Sequence, residues 1–295
     1  MQEAKSPKHL LILMIICLVL AIPFFVFREK HTFIVFCDVG QGDGIYIRIH
    51  DTYDVIVDAG PGNAILSCLG KHMPLYDRTI DVAIMTHPQA DHIEGFESIL
   101  SRYNVSMFVM SRLTNTSKLF RRIEKLLVSQ HVRVTYIKAG DSIAFGTDSL
   151  KFLWPTEDFQ NKYIFSAGND MRLSRRDDND FSVISLLREG SHTVLLTGDA
   201  SPSVLATFTA ADIHDITIFK VPHHGSVNGL SHYFFSLANP GLSVISVGKN
   251  NKFGHPSAEI ISMLKDKNKK YLRTDIYGSI KVTLLNETFT SETER

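Results

Sequence analysis

The segment His87-Pro88-Gln89-Ala90-Asp91-His92 places two imidazoles and a carboxylate close together, directly after the apolar run Ala83-Ile84-Met85. Imidazole nitrogen and carboxylate oxygen are borderline ligands that suit zinc, manganese or iron. A strand end is rigid backbone, so ligands projecting from it are positioned before any metal arrives. One histidine in a polar surface loop would say little. Two histidines flanking an aspartate at the end of a strand point to a metal site, with His87, Gln89, Asp91 and His92 as candidate ligands. Asp91 is also a candidate catalytic residue.

Three later segments repeat the design. Leu195-Leu196-Thr197-Gly198-Asp199 ends an apolar run in a carboxylate, Val221-Pro222-His223-His224-Gly225-Ser226 ends one in two imidazoles, and Phe253-Gly254-His255-Pro256 offers another. Histidine and aspartate at several strand ends facing one edge is what a two-metal hydrolytic site requires. Asp199 and His223 are thus further candidate ligands, and His224 and His255 candidate catalytic donors of a proton to the leaving oxygen. Taken alone, Asp199 could instead cap the helix expected from Pro202, and His255 could be an ordinary loop histidine. Asp58, in Ile56-Val57-Asp58-Ala59-Gly60, could orient a ligating histidine from behind or merely close a turn. The turn Asp38-Val39-Gly40-Gln41-Gly42-Asp43 could turn backbone N–H groups toward an anion. A plain hairpin explains its glycines but not Gln41 and Asp43 together. Gln41 and Asp43, with Ser226, are the candidate substrate-binding residues.

These groups need strands to carry them. Short β-rich runs are predicted at 32–37, 45–49, 55–58, 82–85, 132–137, 150–154, 181–187, 193–197, 216–221, 242–246 and 280–285, the last closing the chain. Residues 118–130 have helical periodicity, with Leu119, Ile123, Leu126 and Leu127 on one face, and a second helix is expected at 202–210. The stretch 155–180 is polar, contains Asp177-Asp178-Asn179-Asp180, and reads as a long loop. The expected class is α/β, two sheets sandwiched by helices.

The chain has 295 residues, 44% of them hydrophobic, which excludes disorder throughout. Lys plus Arg and Asp plus Glu are both 31, so no bulk field favours nucleic acid or anionic membranes, and any polyanion contact must be local. Arg172, Arg175, Arg176 and the cluster Lys265, Lys267, Lys269, Lys270 are the local candidates, although solvated surface charge is the simpler reading. Cys17, Cys37 and Cys68 are odd in number and lack C-x-x-C spacing, so all three are expected to be small buried hydrophobes rather than disulfide partners. Residues 10–27 are apolar without interruption, close to the roughly 18–20 needed to cross a bilayer. With no A-x-A-like cleavage site after them and no polar face for a buried soluble helix, they read as an uncleaved anchor. The division expected is therefore 1–30 membrane anchor and 31–295 hydrolase domain.

Together these residues resemble the metallo-β-lactamase domain of the ComEC family of DNA-uptake proteins. The resemblance is carried by the turn 38–43, by Ile56-Val57-Asp58-Ala59-Gly60, by residues 86–92 and by Asn179-Asp180-Phe181-Ser182. It continues through Leu196-Thr197-Gly198-Asp199, residues 221–226, Val247-Gly248-Lys249-Asn250-Asn251, Gly254-His255-Pro256, Arg273-Thr274-Asp275 and Gly278. It runs over about residues 33–285, in the family's order.

The resemblance implies a metallo-β-lactamase-type αββα sandwich, here with an N-terminal transmembrane helix, and two divalent ions, zinc or manganese, at one edge. The activity it implies is that of a phosphodiesterase or nuclease on single- or double-stranded DNA. The alternatives are an ester, lactone or β-lactam hydrolase, and a catalytically weakened module tethered beside a DNA-uptake channel protein. Gln89 departs from the superfamily pattern His-x-His-x-Asp-His, and no Gly-His-Thr-type segment precedes Asp199, so two histidine ligands are missing. Oxygen ligands from the 177–180 loop would favour manganese over zinc. ComEC proteins carry a polytopic channel domain. With one apolar segment at most, this chain reads as a standalone version in the cell membrane, single-pass, its hydrolase domain facing away from the cytoplasm.

Overall fold

In the first strand, β1 (Thr32–Phe36), Ile34 and Phe36 enter one apolar core while Phe33 and Val35 enter another. That period of two is what a strand buried on both faces must show. The alternation continues through β2 (Gly44–Ile49) and β3 (Tyr53–Ala59), where Ile45, Ile47, Val55 and Val57 share the first core, and Tyr46 and Ile56 the second. The computed structural model describes Leu11, Met14, Ile16 and residues 31–113, 115–167, 170–173 and 177–295. The anchor expected over 10–27 falls almost entirely outside the described residues, among which no helix is long and apolar enough to cross a membrane.

Beyond β3 the first sheet continues in parallel through β4 (Thr79–Ile84), β5 (Asn104–Met110) and β6 (Arg133–Tyr136). The chain then enters β7 (Ser142–Phe145) and β8 (Asp148–Trp154), makes a small hairpin of β9 (Ile164–Ala167) and β10 (Asp170–Leu173), and proceeds to β11 (Ile184–Glu189) and β12 (His192–Leu196). Strands β13 (Ile218–Lys220), β14 (Leu242–Ile245) and β15 (Lys270–Arg273) add in parallel to β12. Finally β16 (Ile280–Leu285) and β17 (Thr288–Thr293) return to the first sheet. Its order is β17-β16-β1-β2-β3-β4-β5-β6, and that of the second is β15-β14-β13-β12-β11-β8-β7.

One core lies between the sheets. A second joins the outer face of the first sheet to helices Ala64–His72, Gly95–Leu100 and Lys118–Ser129, and a third joins the second sheet to His232–Ala238 and Ala258–Asp266. The layers are therefore αββα. Ser117, Ser231 and Ser257 start three of these helices by accepting a backbone N–H on the hydroxyl. In both sheets the loops after parallel strands β3, β4, β12, β13 and β14 carry the motif residues, the edge where α/β sheets place their ligands.

Several expectations need correction. The stretch 155–180 is not one loop: it holds helix Glu157–Tyr163, capped by Thr156, the β9–β10 hairpin and the single turn Asp178–Phe181. Its polarity reflects a short, half-exposed helix. The helix expected at 202–210 is only Pro202–Leu205, and β17 follows β16, pairing back on it. Cys37 and Cys68 are joined in a disulfide, with Cα atoms 5.8 Å apart. A gap of 31 residues says nothing about pairing. Packing of helix Ala64–His72 against the first sheet brings the two sulfurs together. Cys17 lies outside the described residues.

Candidate metal centre

Asp58, near the end of β3, organises the first ligands. One of its oxygens accepts the backbone N–H of Thr86 at 2.8 Å; the other accepts the Thr86 hydroxyl at 2.6 Å and Nδ1–H of His92 at 2.8 Å. The single Thr86 hydroxyl proton is thus committed to Asp58. Its oxygen must accept from His87, so Nδ1 of His87, 3.0 Å away, carries the proton. His224 is fixed in the same way, Nδ1–H donating to the Ser246 carbonyl at 3.0 Å. In all three rings Nε2 is buried, turned inward and without a hydrogen-bond partner. An outward N–H on a carboxylate, hydroxyl or carbonyl is how proteins fix the tautomer of a ligating histidine.

Asp199, after β12, meets these atoms. Its Oδ2 lies 3.4 Å from His92 Nε2 and 3.3 Å from His224 Nε2, and Asp91 Oδ2 lies 3.5 Å from His224 Nε2. The alternative role for Asp199 is taken by Ser201, whose hydroxyl accepts the Val204 N–H and caps the following helix. Donor atoms of Asp91, His92 and His224, and of His87, His92 and Asp199, lie within 4.8 Å of one another in each set. His223 and His224 are both left-handed, φ 49° and 53°, a conformation costing about 1–2 kcal/mol per residue. That turn aims His224 into the cluster and leaves His223 on the wall, its Nε2 3.8 Å from Asp199. Of this pair the expected ligand was His223 and the expected proton donor His224. The geometry turns His224 rather than His223 toward the other donors.

Beneath Asp199 sits a residue that pattern reading passed over. Lys220, the last of β13, is fully buried, donates to the Gly198 carbonyl at 3.0 Å, pairs with Asp43, and lies 3.6 Å from Asp199 Oδ1. Burial opposes its charge, yet Asp43 and Asp199 raise its pKa above the ordinary lysine value. The available signal was a lysine in the apolar strand that leads into Val221-Pro222-His223-His224. Asp43 is 1% exposed, so its expected place facing substrate is corrected: it is the counter-ion of Lys220. Its turn packs backbone to backbone on the ligand loop, Asp43 N–H donating to the Asp91 carbonyl at 3.2 Å. A Cβ on Gly42 would stand 2.0 Å from that same oxygen. Glycine there permits close approach, not anion binding.

A cavity of about 400 Å³ opens over the cluster, with Asp91, Asp199 and His224 in its lining and Gln41, Gln89, His223, Phe253 and His255 around them. Ser226 is not in this lining; it is buried, its hydroxyl accepting the Asn228 N–H. Gln89 stands where the superfamily pattern has histidine and donates to Asn179 Oδ1 at 2.9 Å. Asp177, Asp178 and Asp180 do not line the cavity, so the oxygen ligands expected from that loop are not at the cluster. Ser182 is, its hydroxyl 3.4 Å from His87 Nδ1 and accepting the Asp199 N–H at 3.1 Å. The side chains of Arg172, Arg175 and Arg176 lie outside what the structure describes, and Lys265, Lys267, Lys269 and Lys270 do not line the cavity.

Charge within the centre is strongly polarised. Burial drives His87 down to about 3. Burial also opposes protonation of His92 and His224, but Asp199, helped by Asp58 and Asp43 respectively, raises both well above the ordinary histidine value. Burial would raise Asp91, yet the facing His224 and the charge of His92 hold it at about 2. The edge therefore draws positive charge, proton or metal, to the inward Nε2 atoms. Leaving a buried polar atom unsatisfied costs about 1–3 kcal/mol, and Nε2 of His87, His92 and His224 and Oδ1 of Asp199 are all buried without a hydrogen-bond partner. A divalent cation fits this donor set.

Residues 53–221, more than half of the chain, match the family model of the beta-lactamase superfamily domain. The chain belongs to the metallo-β-lactamase superfamily. ComE operon protein 3 of Bacillus subtilis is 24% identical over 272 residues, covering 84% of this chain and 32% of the relative. Recombination protein 2 of Haemophilus influenzae is 27% identical over 257 residues, covering 85% of this chain and 28% of the relative. Both fall in the ComEC family, so the resemblance read in the sequence holds for this metallo-β-lactamase domain, which spans about three-tenths of their length. Among solved structures it is similar to the metallo-β-lactamase fold protein YhfI from Bacillus subtilis, at 15% identity and a TM-score of 0.54, covering 83% of this chain and 96% of that one. That likeness speaks to fold alone.

Proposed function

We propose that the domain is a metal-dependent phosphodiesterase acting on DNA outside the cytoplasm. The observation that carries this is the convergence of Asp91, His92, Asp199 and His224 in the lining and base of one open cavity, each imidazole already held in the ligating tautomer. The DNA substrate rests on the relatives, whose names are those of a ComE operon protein and a recombination protein. Asp91, His92, Asp199 and His224 would hold one divalent ion, zinc or manganese, and His87, Asp199 and Gln89 a second, weaker one. Such ions supply a nucleophilic water at neutral pH and stabilise charge on the phosphoryl oxygens. With His224 committed to the cluster, His255 is, with His223, a ring left on the cavity wall to move a proton. Burial and neighbouring His223 hold its pKa below the ordinary 6.5, so at neutral pH it can accept one.

The Cys37–Cys68 disulfide supports the extracytoplasmic placement, because such bonds persist in oxidising compartments. Residues 10–27 would then be the single-pass anchor, and a separate channel protein the partner. The test uses the full chain with manganese or zinc on bis-p-nitrophenyl phosphate and on single- and double-stranded DNA. Cleavage that chelator abolishes is expected. Turnover of an ester with none of the diesters would replace this reading with the ester hydrolase.

A further inference from the structure

Phe253 is an aromatic ring held in water at the mouth of the cavity. It is 67% exposed and lines the cavity beside His255. Its ring stacks on that of His255, centroids 5.8 Å apart and planes 16° from parallel, and His255 meets His223 edge-on at 5.8 Å. A ladder of rings thus runs from solvent to the neighbour of His224.

An isolated exposed aromatic needs no explanation, but this one sits on a built platform. Asn251 Oδ1 accepts the N–H groups of Phe253 at 3.1 Å and His255 at 3.0 Å, while its Nδ2 donates to the carbonyls of Gly248 at 3.0 Å and His255 at 2.6 Å. Gln41 Oε1 accepts the Gly248 N–H at 3.1 Å, fastening the loop to the 38–43 turn. These bonds fix the backbone that carries the ring, which stands where it gains little from burial. Exposed Lys249 and Lys252 stand on the same loop. An exposed aromatic face on a loop that carries two cations, at the entrance to a diester-cleaving site, suits a nucleic-acid base while the cations take its phosphates.

Resting on the nuclease reading above, we propose that Phe253 is the stacking platform for an unpaired base, so that the domain takes single strands in preference to duplex. Bases within a duplex have both faces occupied by their neighbours and cannot use the ring. Stacking one base contributes about 1–3 kcal/mol, or roughly 5- to 150-fold in affinity.

The experiment measures KM of the full chain for a short oligothymidylate and for a duplex of equal length, as wild type, Phe253→Ala and Phe253→Trp. We expect Phe253→Ala to raise KM for the single strand by that factor, with kcat and metal content held and the duplex little affected, and Phe253→Trp to restore it. Unchanged KM, an equal loss on strand and duplex, or a loss of bound metal in Phe253→Ala would each overturn the proposal. If wild type cleaves neither substrate, the nuclease reading is what fails. Fluorescence anisotropy of the same labelled strands with the same variants then decides the platform by itself, equal binding by wild type and Phe253→Ala sinking it.

Discussion

On one side of Asp199, Asp91, His92 and His224 complete a set of four donors; on the other stand His87 and Gln89, the amide that replaces a histidine of the superfamily pattern. Three of the four donors in the first half are backed. Asp58 stands behind His92, the Ser246 carbonyl behind His224, and Lys220 behind Asp199. In the second half only His87 is backed, by Thr86, and the Gln89 amide is tied to Asn179. Metal affinity rises with the number of fixed donors and with the groups that orient them. On the function proposed above, the difference gives one edge of the sandwich a strong and a weak cation position that share a single carboxylate.

The largest effect is expected from attacking the support of the strong half. Lys220→Met strips buried Asp43 of its lysine partner and leaves only the rings of His224 and His92, 3.4 and 3.8 Å away, to balance it, which should cost up to about 3–5 kcal/mol of stability in denaturant unfolding. Adding Asp43→Asn in the same chain should restore most of it. A single variant as stable as wild type would mean that Lys220 is not the counter-charge of the cluster.

Next comes the shared carboxylate. Asp199→Asn should lower metal-dependent diester turnover at least ~10²-fold, with the fold intact by circular dichroism. Full activity would remove Asp199 from the centre.

A smaller effect separates the halves by pH. His87 has a folded pKa of about 3 against 6.5 ordinarily, so below 6.5 the unfolded chain binds a proton that the folded chain refuses. Its contribution to stability is complete above pH 6.5, declines as pH falls, and is gone by about pH 3. In chelator, His87→Gln should flatten the pH dependence of stability across that window. A slope identical to wild type would contradict the buried, neutral ring.

Much of this centre was legible in the sequence because each motif ends an apolar strand. Asp58, His87, Asp91, His92 and Asp199 could be placed at one edge from patterning alone, as could the two-sheet class. What escaped depended on backbone direction and tertiary distance. His223 and His224 are chemically identical neighbours, and only their left-handed turn decides which faces the cluster. Asp43 and Gln41 both sit in a glycine turn, but the close approach of Gly42 to Asp91 buries one and leaves the other at the cavity. Lys220 belongs to a strand that otherwise reads as core, and the cysteine pair and β17 are contacts between segments remote or unremarkable in pattern.

The unequal halves are tested most directly by the divalent-ion content of the full chain after dialysis against limiting manganese or zinc. Wild type, His87→Gln and His92→Gln would be compared at equal protein concentration. We expect about one ion per chain in wild type, little change in His87→Gln, and near-complete loss in His92→Gln, because His92 belongs to the four-donor half. Equal loss in the two variants, or retention of the ion in His92→Gln, would contradict the assignment of the strong position to Asp91, His92, Asp199 and His224.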